Sequence, residues 1–99
     1  MMSSVTITEF LLARIAEDER VARAEVARVA GSPRRSGKAY ALRMGRECEA
    51  KRRIVALWVS TAEDAAEPYP GMQDMADDTL RTLALCYVDH PDYDEAWRP

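Results

Sequence analysis

Cysteine and histidine are scarce in this chain: two cysteines, Cys48 and Cys86, and one histidine, His90. The cysteines are far apart and form no CxxC pair, so free thiols acting as small hydrophobes are expected at both positions. His90 has no HxxxH or CxxC companion, which leaves it a poor zinc ligand. The segment from Asp89 to Glu95 is rich in ligand-type side chains but lacks the calcium-loop spacing and its glycine. A capped turn with acidic surface residues is the expectation there, and no metal site. G-x-S-x-G, P-loop and G-x-G-x-x-G motifs are all missing. No enzyme, catalytic residue or cofactor is therefore expected.

Long apolar runs are also missing. Runs such as Ile54 to Val59 are far short of the ~20 residues of a membrane span. No basic stretch and apolar core follow Met1-Met2-Ser3-Ser4, so no signal peptide is read there. These absences point to a cytoplasmic protein, in the bacterial cytoplasm or, for a phage product, in that of the host. Neither an internal repeat nor a strand-like alternation of any length occurs.

What is present suits one small helical domain spanning residues 1–99. The chain is 47% hydrophobic and 31% charged, too apolar for a disordered protein. A domain of 99 residues removes roughly 60–65% of its unfolded surface from water, enough for a modest core. The net charge of −3 hides an uneven distribution. Residues 1–33 carry −1, residues 34–59 carry +6 and residues 60–99 carry −8.

Apolar residues recur at helical spacing. Ile7, Phe10, Leu11, Ile15, Val21, Ala22, Val26 and Val29 share one face of a helix over about 6–30. Thr6 and Glu9 fit a capping box, and Gly31-Ser32-Pro33 stops the helix. Arg34 to Gly37 is a basic connection in which Ser36 suits an N-cap. A second helix over about 38–59 has the stripe Tyr40, Met44, Cys48, Ile54, Val55 and Trp58. Gly45 inside it marks either a close helix crossing or a tolerated flaw. Residues 60–71 form a linker ending in Pro68-Tyr69-Pro70-Gly71. A third helix over about 72–88 has the stripe Met72, Met75, Ala76, Leu80, Leu83, Cys86 and Tyr87. Asp92 and Glu95 then suit a last helical turn over 92–97, which folds Tyr93 and Trp97 back onto the bundle. Its expected seat is Leu83, Tyr87 and the region of Tyr40, with Asp92, Asp94 and Glu95 close to Arg34 and Arg35.

Two constellations stand out. Asp18 and Lys51 lie at the centres of otherwise apolar stripes, with Glu47 one turn before Lys51. A lone charge is too costly to bury, so a structural ion network of Asp18, Glu47 and Lys51 is expected between antiparallel helices. The other is a basic surface of Arg34, Arg35, Lys38, Arg43, Arg46, Arg52 and Arg53. It suits an acidic protein partner or nucleic-acid phosphates, or a solvated face balanced by the acidic C-terminal third. The aromatics Tyr40 and Trp58 fall on the core stripe and provide no stacking platform among the arginines.

Three stretches resemble a family of small actinobacterial and actinophage proteins of unknown function. They are Phe10-Leu11-Leu12-Ala13-Arg14-Ile15 with Glu17-Asp18-Glu19, Glu49-Ala50-Lys51-Arg52-Arg53-Ile54, and the ending Asp89-His90-Pro91-Asp92-Tyr93 through Trp97-Arg98-Pro99. The resemblance implies an actinobacterial or phage source. It supplies no activity, and residues 60–71 lack the Cys- and His-containing insert common in such proteins, so no metal chemistry carries over.

The expectation is an all-α, three-helix bundle with a short C-terminal turn packed on it. It would serve as a non-enzymatic protein–protein interaction module, such as a phage or mobile-element accessory protein acting on a host protein. The alternative is a small nucleic-acid-binding protein using the basic face at 34–53. No membrane partner is expected, and a second copy of the chain remains a candidate partner.

Overall fold

The computed structural model describes residues 5–31, 33–63 and 71–99. Three helices follow one another: α1 (Ile7–Val29), α2 (Arg35–Glu63) and α3 (Met72–Ala84). Two single 3₁₀ turns follow, Leu85–Tyr87 and Glu95–Trp97, and no strand occurs among the described residues. The fold is the expected all-α bundle. The linker residues 64–70 lie outside the described residues.

α1 begins where side chains satisfy its first free N–H groups. The Glu9 amide donates to Thr6 Oγ1 at 3.1 Å, and the Thr6 amide donates to Glu9 Oε1 at 3.3 Å. This is the expected capping box. Gly31 does not cap in the left-handed conformation: the one positive φ among the described residues is Gly71, at 84°. α2 starts three residues earlier than the spacing suggested and runs on to Glu63, so Ser36 lies inside it. α3 has Gly71 as N-cap, with no side-chain cap. A non-glycine residue at this left-handed position would be strained.

The core sits where all three helices meet. Leu11 and Ile15 of α1 and Cys48 and Val55 of α2 pack with Leu80 and Ala84 of α3. These are i,i+4 and i,i+7 pairs, one stripe from each helix. Fully burying Leu11 or Ile15 contributes roughly 1.5–3 kcal/mol each. The α3 contact line is Ala76, Leu80 and Ala84. Met75 precedes that line by one position and stands 62% exposed, and Cys86, in the 3₁₀ turn, is exposed too. Both were expected on the core stripe.

α3 is too short to cover its partners. Its 13 residues span about 20 Å, whereas the 29 residues of α2 span about 43 Å. α3 lies against the C-terminal half of α2, leaving the C-terminal half of α1 and the N-terminal half of α2 as a two-helix arm. The Cα radius of gyration, 16.4 Å, exceeds the roughly 13 Å of a compact domain of this length. Val21 and Tyr40 are consequently exposed on the arm, and Val26 and Leu42 are exposed on its other face, against the expectation that Val21, Val26 and Tyr40 face the core.

The C-terminal segment docks as expected beside Leu83 and Tyr87, but with Phe10 of α1 and not the region of Tyr40 completing its seat. The rings of Trp97, His90, Tyr93 and Tyr87 surround Phe10 at centroid distances of 5.0, 5.6, 6.1 and 6.1 Å. Arg81 donates to the Ala96 carbonyl at 2.7 Å and fixes the last turn. Its N-cap is Asp94, accepting from the Ala96 amide at 2.9 Å, and not Asp92. The seat is thus the N-terminal part of α1. Arg34 and Arg35 lie past the other end of α1, which extends about 28 Å beyond Phe10. The expected proximity of the tail's acids to Arg34 and Arg35 does not occur, and Glu95 pairs with Arg98 instead.

Candidate interaction surface

Asp18 and Lys51 meet, but through a third residue. The Tyr87 hydroxyl donates to Asp18 Oδ2 at 2.9 Å, and Lys51 Nζ stands 5.4 Å from the centroid of the Tyr87 ring. Both charged residues are half-buried, and no charged residue is fully buried among the described ones. Burial, and then the hydrogen bond to Asp18, push the Tyr87 phenol well above the ordinary range. Glu47 does not join them: it points outward and pairs with Arg43 at 3.3 Å. The position of Tyr87 in the 3₁₀ turn after α3 makes this a tie among all three helices.

The basic face divides into two sets. Arg43, Arg52 and Arg53 are bound to Glu47, Glu19 and Glu49, all within α1 and α2. None of these pairs draws on the acidic C-terminal third, contrary to one sequence expectation. The Arg52–Glu19 pair is two-pronged, at 2.6 and 3.1 Å, and holds the Glu19 carboxyl below its usual range. Lys38 and Arg46 are exposed, with no carboxylate at ion-pair distance among the described residues. Arg34 precedes α2 and is exposed, and Arg35 opens the helix.

Between the two helices of the arm runs an apolar groove of about 520 Å³, lined by Glu19, Ala22, Arg23, Val26, Ala27, Ala41, Leu42 and Gly45. A shallower hollow of about 180 Å³ continues it past Val26 and Leu42 to Val29, Ala30 and Lys38. Helical spacing puts this groove on the face opposite α3. Phe10 and Asp18 meet the tail and Tyr87 on one side of α1, whereas Arg23 and Ala27 project from the other. On α2, Ile54 lines a hollow with α3 residues, while Leu42 and Gly45 face away from it. A Cβ placed on Gly45 would meet nothing within 4 Å, so no close internal crossing requires this glycine.

Among the described residues no other constellation gathers chemistry. His90 Nδ1 accepts from the Asp92 amide at 3.0 Å, so it braces the turn. Among the described residues no three His, Cys, Asp or Glu side chains converge as metal ligands. The Cys48 thiol is buried, and burial raises its pKa. No helix among the described residues is long and apolar enough to cross a membrane.

Residues 4–99 match a family described as a family of unknown function, DUF6221. The chain belongs to the DUF6221 family. The match spans all three stretches that carried the resemblance seen in the sequence, so the three helices and the tail together form this DUF6221 unit. No curated protein and no solved structure matches the chain.

Sequence reasoning missed the groove of this DUF6221 chain. Of its lining only Ala22 and Val26 lie on the apolar stripes read from the sequence, whereas Ala27, Ala41, Leu42 and Gly45 lie off them, because a stripe marks the face turned to the core and not the edge beside it. The usable signal was the run of small residues at Ala22, Ala27, Ala41 and Gly45 along this second face.

Proposed function

We propose that this protein is a non-enzymatic helical interaction module that binds a protein partner through the exposed face of the α1–α2 arm. The observation behind this reading is the groove itself. Val26 and Leu42, 38% and 49% exposed, flank a furrow of small side chains on the face of the arm turned away from α3. The catalytic alternative has no support in the side chains: Tyr87, Asp18 and Lys51 are engaged with each other in the bundle. The resemblance carried by the EAKRRI segment and the DHPDY…WRP ending favours an actinobacterial or phage source, in which a cytoplasmic accessory protein acting on a host protein would be at home.

The test is a photo-crosslinking amino acid at Leu42 of the full chain, expressed in its own organism. Protein adducts at Leu42, and few from the same group at Arg98, are expected. Adducts to nucleic acid alone, or none at all, would reject the reading.

The second reading, nucleic-acid binding, draws on Lys38 and Arg46, which have no carboxylate at ion-pair distance among the described residues. It requires an affinity for duplex DNA or RNA that falls steeply between about 50 and 200 mM salt.

A further inference from the structure

We infer that the occupant of the arm groove is an acidic amphipathic helix of another protein, about three turns long; this rests on the interaction reading above and adds the chemistry of the partner. The length follows from the groove. From Glu19 to Ala30 it runs about 17 Å along α1, the rise of 11 or 12 helical residues.

The charge follows from the rims. Arg23 lines the groove on the α1 side, with Arg20 one turn before it. On the α2 side Lys38 closes the end of the groove and Arg46 follows Leu42 by one turn. None of these four exposed cations has a carboxylate at ion-pair distance among the described residues. The one acid of the lining, Glu19, is held by Arg52. The floor is aliphatic. A helix with an apolar stripe and carboxylates on both flanks would therefore match floor and rims together.

Gly45 supports a helix at this place. A glycine inside a helix costs roughly 1 kcal/mol relative to alanine. Among the described residues nothing lies within 4 Å of a Cβ placed there. Close approach of an outside backbone is the use such a position has. Other occupants fit less well. Residues 19–46 carry eight cations and two carboxylates, so two copies placed arm to arm would repel. Nucleic acid finds no aromatic ring in the lining on which to stack a base.

The test selects a phage-displayed library of 15-residue helical peptides on the full chain at about physiological salt. The expected winners share an apolar stripe at i, i+3/i+4 and i+7 with Asp or Glu on both flanks. Their affinity should fall at least tenfold for Leu42→Glu and for Arg23→Glu with Lys38→Glu, and hold for Arg98→Glu. Gly45→Ala is the variant that separates docking from folding: it should raise the melting temperature yet weaken the peptide several-fold. Neutral or basic winners, or binding indifferent to Leu42 and Gly45, would overturn the inference; protein adducts from the Leu42 crosslinker would then leave the interaction reading standing. An empty selection also overturns it, whether accompanied by salt-sensitive duplex DNA binding, by dimerisation lost in Leu42→Glu, or by neither.

Discussion

The Tyr87 hydroxyl donates to Asp18 across 69 residues of sequence, 2.9 Å from Oδ2, and so ties the turn after α3 to the middle of α1. Tyr87→Phe leaves a half-buried carboxylate without its donor. A hydrogen bond to a charged group is worth about 1.5–3 kcal/mol. Partial exposure reduces this, and a loss of about 1–2 kcal/mol is expected by urea unfolding. Asp18→Ala should cost a similar amount, and the double variant less than the two together. Lys51→Met should cost about 0.5–1 kcal/mol through the lost contact with the ring. Strict additivity of Tyr87→Phe and Asp18→Ala would refute the tie.

The same contact sets a pH dependence. The Tyr87 pKa is raised in the folded state above its unfolded value near 10. Its contribution is complete below pH of about 10, where the phenol is neutral in both states. Above that the unfolded chain ionises first, so stability falls as pH rises towards the folded pKa. Alkaline unfolding should shift to higher pH in Tyr87→Phe relative to the wild type's own neutral-pH stability. The ultraviolet absorbance of tyrosinate should show one ring ionising only as the protein unfolds.

Phe10 is the hub of the aromatic tail, whereas Tyr40 is 56% exposed. Phe10→Ala should cost about 3–5 kcal/mol and release the segment beyond Pro91. Carboxypeptidase digestion would read this as rapid loss of Trp97. Tyr40→Ala should change neither stability nor digestion appreciably. Resistance of the tail in Phe10→Ala would place its anchor elsewhere.

The two thiols should differ. Cys86 is exposed, whereas Cys48 is buried with a raised pKa. A thiol reagent should therefore titrate one cysteine in the native protein and the second only on unfolding. Two fast equivalents would contradict the packing of Cys48.

Gly45→Ala should stabilise the chain by about 0.5–1 kcal/mol, since the added methyl meets open space. For a domain of this size that is a rise of several degrees in Tm. A lower Tm would mean that the helices crowd Gly45.

The sequence shows where helices lie because periodicity and caps are local. Thr6 and Glu9 mark the start of α1 to the residue. Asp18 and Lys51 were legible as charges needing company, since each interrupts an apolar stripe. Their shared partner was not, because Tyr87 is placed by a 3₁₀ turn and by the docking of α3, both set by tertiary packing. Glu47 was misplaced for a simpler reason: Arg43, four residues before it on the same helix, is a nearer partner than Lys51 proved to be. The exposure of Leu42 and Val26 likewise depends on which side of the α1–α2 pair α3 packs against, which is set by tertiary packing.

The aromatic rings around Phe10 are concentrated at one end of the molecule, while the buried side chains of the arm are Ala22, Val29 and Ala41. Small aliphatics give up little contact when two helices part. The chain therefore has a graded resistance to opening, high where Phe10 and Leu11 sit and low toward Gly31. Amide protons of the arm are expected to exchange through separation of the hairpin alone, and those of the ring cluster only when the whole bundle comes apart. A partner seated on the arm would close this soft end and bring the two exchange rates together.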